Sequence, residues 1–194
     1  MKLALTIFTF LLSLASTGQT QYKSGAIYNS LGAYIIDAPK NWVLDNESGV
    51  GQGLHCVLYL KGSTWADSPV IMYGQIESDS GITIKSFVDF AMKDYLKEDP
   101  KFQHKLVKTL KAENKYDCEI YDNHGGMYNS YERVAYIQIK GSVCYIVFSS
   151  KTKEDFLKYA DSIYDVVKSF KNSPQYKNGG GDLELILTPI KKDN

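Results

Sequence analysis

The sequence predicts an α+β domain in which an antiparallel β-sheet of about six strands is packed by helices, as an α/β/α sandwich. Short apolar runs alternate with turn residues over 33–77, and two amphipathic helical patterns stand far apart in the chain. The two longest apolar runs, 133–140 and 142–149, meet at Gly141. A glycine between two such runs indicates an antiparallel hairpin, and consecutive apolar residues favour central strands.

Turn residues separate the strands that precede the first helix. Strands are predicted at 33–37, 42–45, 55–61 and 69–77, with loops at 46–53 and 62–68. The tetrapeptide Ala-Pro-Lys-Asn at 38–41 is a turn signal, and the loop 46–53 holds three glycines. Further strands are predicted at 102–110 and 116–121.

Both helical patterns place apolar residues three and four positions apart, the period of a helix with one buried face. The first covers 83–98, with Thr83 as the N-cap and Pro100 just beyond its end. The second starts with a capping-box-like segment at 152–155. Its continuous apolar stripe consists of Phe156, Ala160, Ile163, Val167 and Phe170.

The N-terminal residues are typical of a secretory signal peptide. Lys2 precedes an apolar run over 3–15, which is too short to span a bilayer, and small residues follow. Cleavage after Gly18 is preferred, and cleavage after Ala15 is the alternative. We therefore predict a signal peptide at 1–18, a single domain at 19–171, and a glycine-rich linker and tail at 172–194 with a short strand at 183–188. The protein is expected in a bacterial periplasm or outside the cell, with no transmembrane segment after cleavage.

Composition excludes some classes of partner. Twenty-two Lys and Arg residues balance twenty-two Asp and Glu residues, so no net field favours nucleic acid or an anionic membrane. The three cysteines lie in apolar, strand-like surroundings, where a free thiol behaves as a small hydrophobe. Fifteen tyrosines suit a sheet with a solvated face and surfaces that bind partners.

Several motifs resemble one known fold family. They are "APKNWVLD" with the glycine-bearing loop after it, the hairpin "YIQIKGSVCYIVF", and a last helix that ends "VVKSFK". In this order they are similar to the Mog1/PsbP-like fold, especially its exported bacterial members of undefined function, over about residues 33–171. PsbP proteins are non-enzymatic subunits of photosystem II, and Mog1 binds a nuclear GTPase. The resemblance thus implies a scaffold used for binding, and it assigns no site residues.

The leading hypothesis is an exported, non-enzymatic binding or assembly module that needs no cofactor. Its partner, a protein or a small molecule, would contact the loops 46–53 and 62–68 and exposed aromatic residues at one end of the sheet. The candidate binding residues are Trp42, Trp65, Asp67 and Tyr131. For Trp42, which begins a strand after a tight turn, packing in the core is the favoured alternative, and for Trp65 the alternative is capping of the sheet. Aromatic side chains are the residue type most often found at the centre of interfaces.

Two alternatives remain. Asp122 and His124 lie two residues apart beside glycines, so a strand would place both on one face and suggest a metal-binding or metal-carrying protein. The competing interpretation is a simple turn, because a metal usually needs three or four ligands. A hydrolase of unknown class comes third, since the chain shows no nucleophile motif.

Overall fold

The computed structural model describes residues 23–29, 32–79 and 81–173. The predicted signal peptide and the strand at 183–188 lie outside these residues, as does almost all of the linker and tail. Within the described part of the chain, no helix has the length and apolar character needed to cross a bilayer.

Ten strands and three α-helices make up the described residues. The strands are β1 (Ser24–Asn29), β2 (Gly32–Asp37), β3 (Trp42–Asp45), β4 (Val57–Leu60), β5 (Val70–Ser78), β6 (Gln103–Ala112), β7 (Tyr116–Gly125), β8 (Ser130–Ile139), β9 (Ser142–Ser150) and β10 (Lys171–Asn172). The helices are α1 (Ile84–Glu98), α2 (Lys153–Tyr159) and α3 (Ile163–Ser169), with a turn of 3₁₀ helix at Ala160–Ser162 between the last two.

The strands form two antiparallel sheets. The larger sheet has seven strands in the order β3-β4-β5-β9-β8-β7-β6, and the smaller one has the order β1-β2-β10. The hairpin of β8 and β9 lies inside the larger sheet, as its consecutive apolar residues predict. The α+β class and the antiparallel sheet are confirmed, with seven strands in the main sheet instead of about six.

The larger sheet separates two layers. On one face, α1 packs through Ile84 and Val88 against Val134, Tyr136 and other side chains of β8 and β9. On the other face, α2, α3 and the smaller sheet bury the main core together. Side chains from these three elements that enter the core include Ile27, Tyr34, Phe156, Ile163 and Phe170.

The helix ends follow the predicted capping chemistry. The Thr83 hydroxyl accepts a hydrogen bond from the amide of Ser86, and the Ser86 hydroxyl bonds back to complete a capping box. The Thr152 hydroxyl accepts from the amide of Asp155 in the same way at the start of α2. These contacts satisfy amides that have no partner within the helix.

Candidate functional site

A cleft of about 430 Å³ lies between α1 and the face of the sheet formed by β5, β9 and β8. Aromatic side chains dominate its walls, and one carboxylate from the middle of the sheet, that of Glu132, projects into it. The aromatic residues that line it are Tyr73, Phe87, Tyr95, Phe102, Tyr128, Tyr136 and Tyr145. Small-molecule sites typically have this size, and they commonly combine aromatic walls with polar groups that orient the ligand.

The periodicity of the backbone brings these side chains together. Successive side chains of a strand point to opposite faces, so Glu132, Val134 and Tyr136 of β8 share the face that α1 covers. On α1, Phe87, Ala91 and Tyr95 follow one another at intervals of four residues and form the facing wall.

The turn between β7 and β8 forms the rim of the cleft. Met127 and Tyr128 are 78% and 86% exposed, yet both line the opening. The amide of Gly126 donates a hydrogen bond to a carboxylate oxygen of Asp99, which ties this turn to the end of α1. The rim therefore offers exposed apolar surface beside a half-enclosed cavity.

Glu132 is the charged group at the base of the cleft. Its Oε1 accepts a hydrogen bond from the Ser130 hydroxyl at 3.1 Å and a long one from the Ser149 hydroxyl at 3.5 Å. Burial raises the pKa of Glu132, and these two hydrogen bonds oppose that shift only in part. The carboxylate is thus held in surroundings that solvate its charge poorly.

The tyrosines around Glu132 stay protonated at neutral pH and can donate hydrogen bonds. Burial, followed by the charge of Glu132, raises the pKa of Tyr73. Burial and then the charge of Glu77 raise the pKa of Tyr145 to about 12. The hydroxyl of Tyr145 donates to the side-chain oxygen of Gln75 at 3.0 Å.

The four candidate binding residues do not share one surface. Trp42 is 8% exposed and meets Phe148 edge-on in the main core. Tyr131 stacks on His124 with ring centroids 3.9 Å apart, on the sheet face away from the cleft. Trp65 and Asp67 lie in the loop between β4 and β5.

The two predicted loops do approach each other. Gln52 of the loop 46–53 and Trp65 of the loop 62–68 line the same cavity of about 310 Å³. Asp45 organises the first loop, because its carboxylate accepts hydrogen bonds from the amides of Glu47 and Ser48. Asp67 fixes the second by accepting from the amide and the hydroxyl of Thr64. The contact surface predicted at these loops stays a prediction.

The fluorescence of the two tryptophans should show that Trp42 is buried and that Trp65 is more accessible to solvent. The chain has only two, Trp42 in the core and the half-buried Trp65. We expect acrylamide to quench the emission of Trp65 several times more strongly than that of Trp42. Trp42→Phe and Trp65→Phe isolate each emission, and equal quenching of the two variants would contradict the placement of Trp65.

The structure gives Asp122 and His124 separate contacts. Strand β7 runs through to Gly125, so both residues do share a face, and the turn begins only at Gly126. The carboxylate of Asp122 pairs with Nε and Nη2 of Arg133 at 2.6 and 2.9 Å. Nδ1 of His124 lies 3.1 Å from the carbonyl oxygen of Ser130.

Over residues 23–29, 32–79 and 81–173, no three His, Cys, Asp or Glu side chains converge as metal ligands do. The metal site is untested and stays a prediction.

The cysteines are buried free thiols. Cys56, Cys118 and Cys144 all lie in the main core. Burial raises the pKa of each, to about 12 for Cys118, so none is a thiolate at neutral pH.

Comparisons with known proteins give structural neighbours only. No protein-family model matches the chain, and no curated protein matches it significantly. LpqN of Mycobacterium tuberculosis, described as involved in cell envelope biogenesis, is 13% identical with a TM-score of 0.53, over 79% of this chain and 92% of LpqN. Cyanobacterial PsbP (CyanoP) of Synechocystis is 14% identical with a TM-score of 0.49, over 84% of this chain and 99% of CyanoP.

At such identities a likeness shows the fold alone. The match to LpqN carries this argument, since its TM-score of 0.53 is the higher of the two and it covers 92% of that protein. The chain therefore has the Mog1/PsbP-like fold that its motifs predict.

Proposed function

We propose that this protein is an exported binding module that takes a small molecule into the cleft between α1 and the sheet. The observation that carries the proposal is the cleft itself, a cavity of about 430 Å³ with aromatic walls and a single carboxylate rising from the sheet at its base. The size and the aromatic walls fit those of small-molecule sites. The proposed location, a bacterial periplasm or the cell exterior, rests on the N-terminal signal-like segment.

The lining favours binding over catalysis. Among the described residues that line the cleft there is no histidine, cysteine or lysine. These side chains supply many general bases and nucleophiles in enzymes. A wider depression of about 620 Å³ near the start of α1 is lined by the exposed Asp79, Ser86 and Phe90. A ligand there would stay largely in water, so the cleft is the better candidate.

Blocking the cleft tests this function. Ala91 lies on the wall formed by α1, and Ala91→Phe should fill much of the space between α1 and the sheet. We expect fragments from a chemically diverse library to raise the melting temperature of the wild type. In Ala91→Phe their affinity should fall at least tenfold, about 1.4 kcal/mol.

Lys93→Phe is the matched control, because it places the same side chain on the solvent face of the same helix. It should leave fragment binding unchanged. A screen without hits, or hits that bind Ala91→Phe as tightly as the wild type, would contradict the proposed site.

The surface of the two loops is a second candidate, with a protein as its partner. Gln52 and Trp65 meet there around one cavity, and the neighbouring Val50 is 55% exposed. Exposed apolar and aromatic groups beside polar loops are common at protein interfaces.

A further inference from the structure

The cleft carries negative charge without a resident cation. Glu132 lies at its base and Glu98 at its edge, whereas none of the described lining residues is Lys, Arg or His. The ion pairs found among the described residues involve other carboxylates, and none includes Glu132. The nearest compensation for the charge of Glu132 is therefore two serine hydroxyls.

The hydrogen bonding of Glu132 leaves one oxygen for a ligand. Both described hydrogen bonds, from Ser130 and Ser149, end at Oε1. Among the described residues no hydrogen bond ends at Oε2. A partly buried carboxylate gains most from a partner that brings its own positive charge, because charge-assisted hydrogen bonds are about twice as strong as neutral ones.

The walls favour the same kind of ligand. The faces of aromatic rings carry negative potential and attract cations that lie within about 6 Å of the ring centre. Tyr73, Tyr136 and Tyr145 of the sheet face Tyr95 and Phe87 of α1 across the cleft. A carboxylate within a group of rings is a suitable environment for an organic ammonium group, and it disfavours an anion.

We propose that the cleft binds a small organic cation, a protonated amine on an aromatic or aliphatic body, with Glu132 as its counter-ion and the tyrosine rings around its charge. The ammonium group donates to Oε2 of Glu132, and the apolar body lies between α1 and the sheet. This inference rests on the proposed function, because it names the ligand class of the same cleft.

Three probes of the same shape test the ligand class. Phenethylamine is a cation, phenethyl alcohol is neutral and phenylacetate is an anion at pH 7. Affinities are measured by titration with detection by protein NMR, which also shows whether the shifted signals come from the cleft. We expect the amine to bind about tenfold more tightly than the alcohol, and phenylacetate to bind weakest.

Glu132→Gln is the decisive variant. It keeps the size of the side chain and removes the charge, so the amine should lose about tenfold in affinity while the alcohol changes less than about twofold. Glu98→Gln, at the exposed edge, should have a much smaller effect on amine binding. Equal binding of the amine to the wild type and to Glu132→Gln would overturn the inference, as would an amine that binds no better than the alcohol.

Stability separates a loss of binding from a loss of folding. Because the folded state raises the pKa of Glu132, its charge opposes folding at neutral pH. Glu132→Gln should therefore melt at or above the temperature of the wild type.

If Ala91→Phe blocks all three probes while the wild type does not prefer the amine, the proposed function stands and the inference on ligand class fails. Failure of every probe to shift cleft signals in the wild type also overturns the inference, and the fragment screen then decides the proposed function by itself.

Discussion

Gly74→Ala should destabilise the protein by about 3 kcal/mol, because the new methyl group would collide with the buried hydroxyl of Tyr34. Gly74 lies in β5, an interior strand of the larger sheet, and faces the main core. The side chain of Tyr34 is fully buried, and its hydroxyl donates a hydrogen bond to the carbonyl oxygen of Tyr145 at 2.9 Å. Displacing the Tyr34 hydroxyl disturbs the packing and breaks this hydrogen bond, and each of these effects costs about 1–3 kcal/mol of stability.

Chemical denaturation of purified variants measures this effect, and thermal melting should show a decrease of roughly 6–12 °C. Gly51→Ala is the control. A methyl group there meets no atom within 4 Å, and the φ of Gly51 is not positive, so stability should stay the same or rise slightly.

A double variant tests the cause. Tyr34→Phe removes the hydroxyl that occupies the space of the new methyl group. We expect Gly74→Ala to cost about 1 kcal/mol or less in that background, since the next contacts, with Ile27 and with the ring carbon Cζ of residue 34, are at 3.2 Å. If the effects of the two substitutions on the free energy of unfolding are fully additive, the hydroxyl of Tyr34 does not cause the destabilisation by Gly74→Ala.

Asp45→Asn should lower the free energy of unfolding by about 1–3 kcal/mol and loosen the loop 46–53. Asp45 is 8% exposed, and its carboxylate accepts from two amides, from the Ser48 hydroxyl at 2.6 Å and from the buried Tyr59 hydroxyl at 2.9 Å. Asparagine offers one acceptor oxygen where aspartate offers two. Asp67→Asn, which changes an exposed carboxylate in the second loop, should have a much smaller effect.

The effect of Asp45→Asn should depend on pH. Burial alone would raise the pKa of Asp45, but the hydrogen bonds from Ser48, Glu47 and Tyr59 together hold it below its usual value. A carboxyl group whose pKa is lowered in the folded state stabilises the protein above its unfolded pKa of about 3.9. This stabilisation is lost as the pH falls through the pKa of the folded state. The stability difference between wild type and Asp45→Asn should therefore shrink below about pH 3.9. A difference that stays constant into acid would contradict the role of the charge.

Local sequence patterns predict most of the regular elements correctly. Strand β3 and helix α1 have the predicted extents to within one residue, because the turn before Trp42 and the capping residue Thr83 are local signals. The prediction of one uninterrupted last helix is wrong. The helix is interrupted by a turn of 3₁₀ helix at Ala160–Ser162, where the hydroxyl of Ser162 donates a hydrogen bond to the carbonyl oxygen of Tyr159. The apolar stripe continues across this turn, so periodicity alone does not reveal it.

Two strands and the end of a third are not predicted from the sequence. The sequence did not indicate β1 or β10, and both exist as strands by pairing with β2. The predicted end of β7 at Tyr121 was also too early. The segment to Gly125 pairs with β8, and Asp122 binds Arg133 across the two strands. Residues that individually favour turns form a strand there because their neighbours supply the hydrogen bonds.

The candidate site was the hardest part to predict. Alternation along "YERVAY" does place Glu132 on the same face as Val134 and Tyr136, and the stripe on α1 includes Phe87, Ala91 and Tyr95. Neither pattern shows that these two faces meet around a cavity. That depends on where α1 lies across the sheet, which is set by contacts between residues more than forty positions apart, such as the hydrogen bond that the amide of Ile84 donates to the side-chain oxygen of Gln138.

The sequence by itself determined the α+β class, the antiparallel hairpin at the centre of the sheet and the ends of α1, because each depends on residues close together in the chain. The tertiary structure alone decided that Asp122 pairs with Arg133 and that a glutamate and a group of tyrosines line a cleft. Local periodicity indicates which face of an element is buried, whereas the partners that surround a side chain come from distant segments.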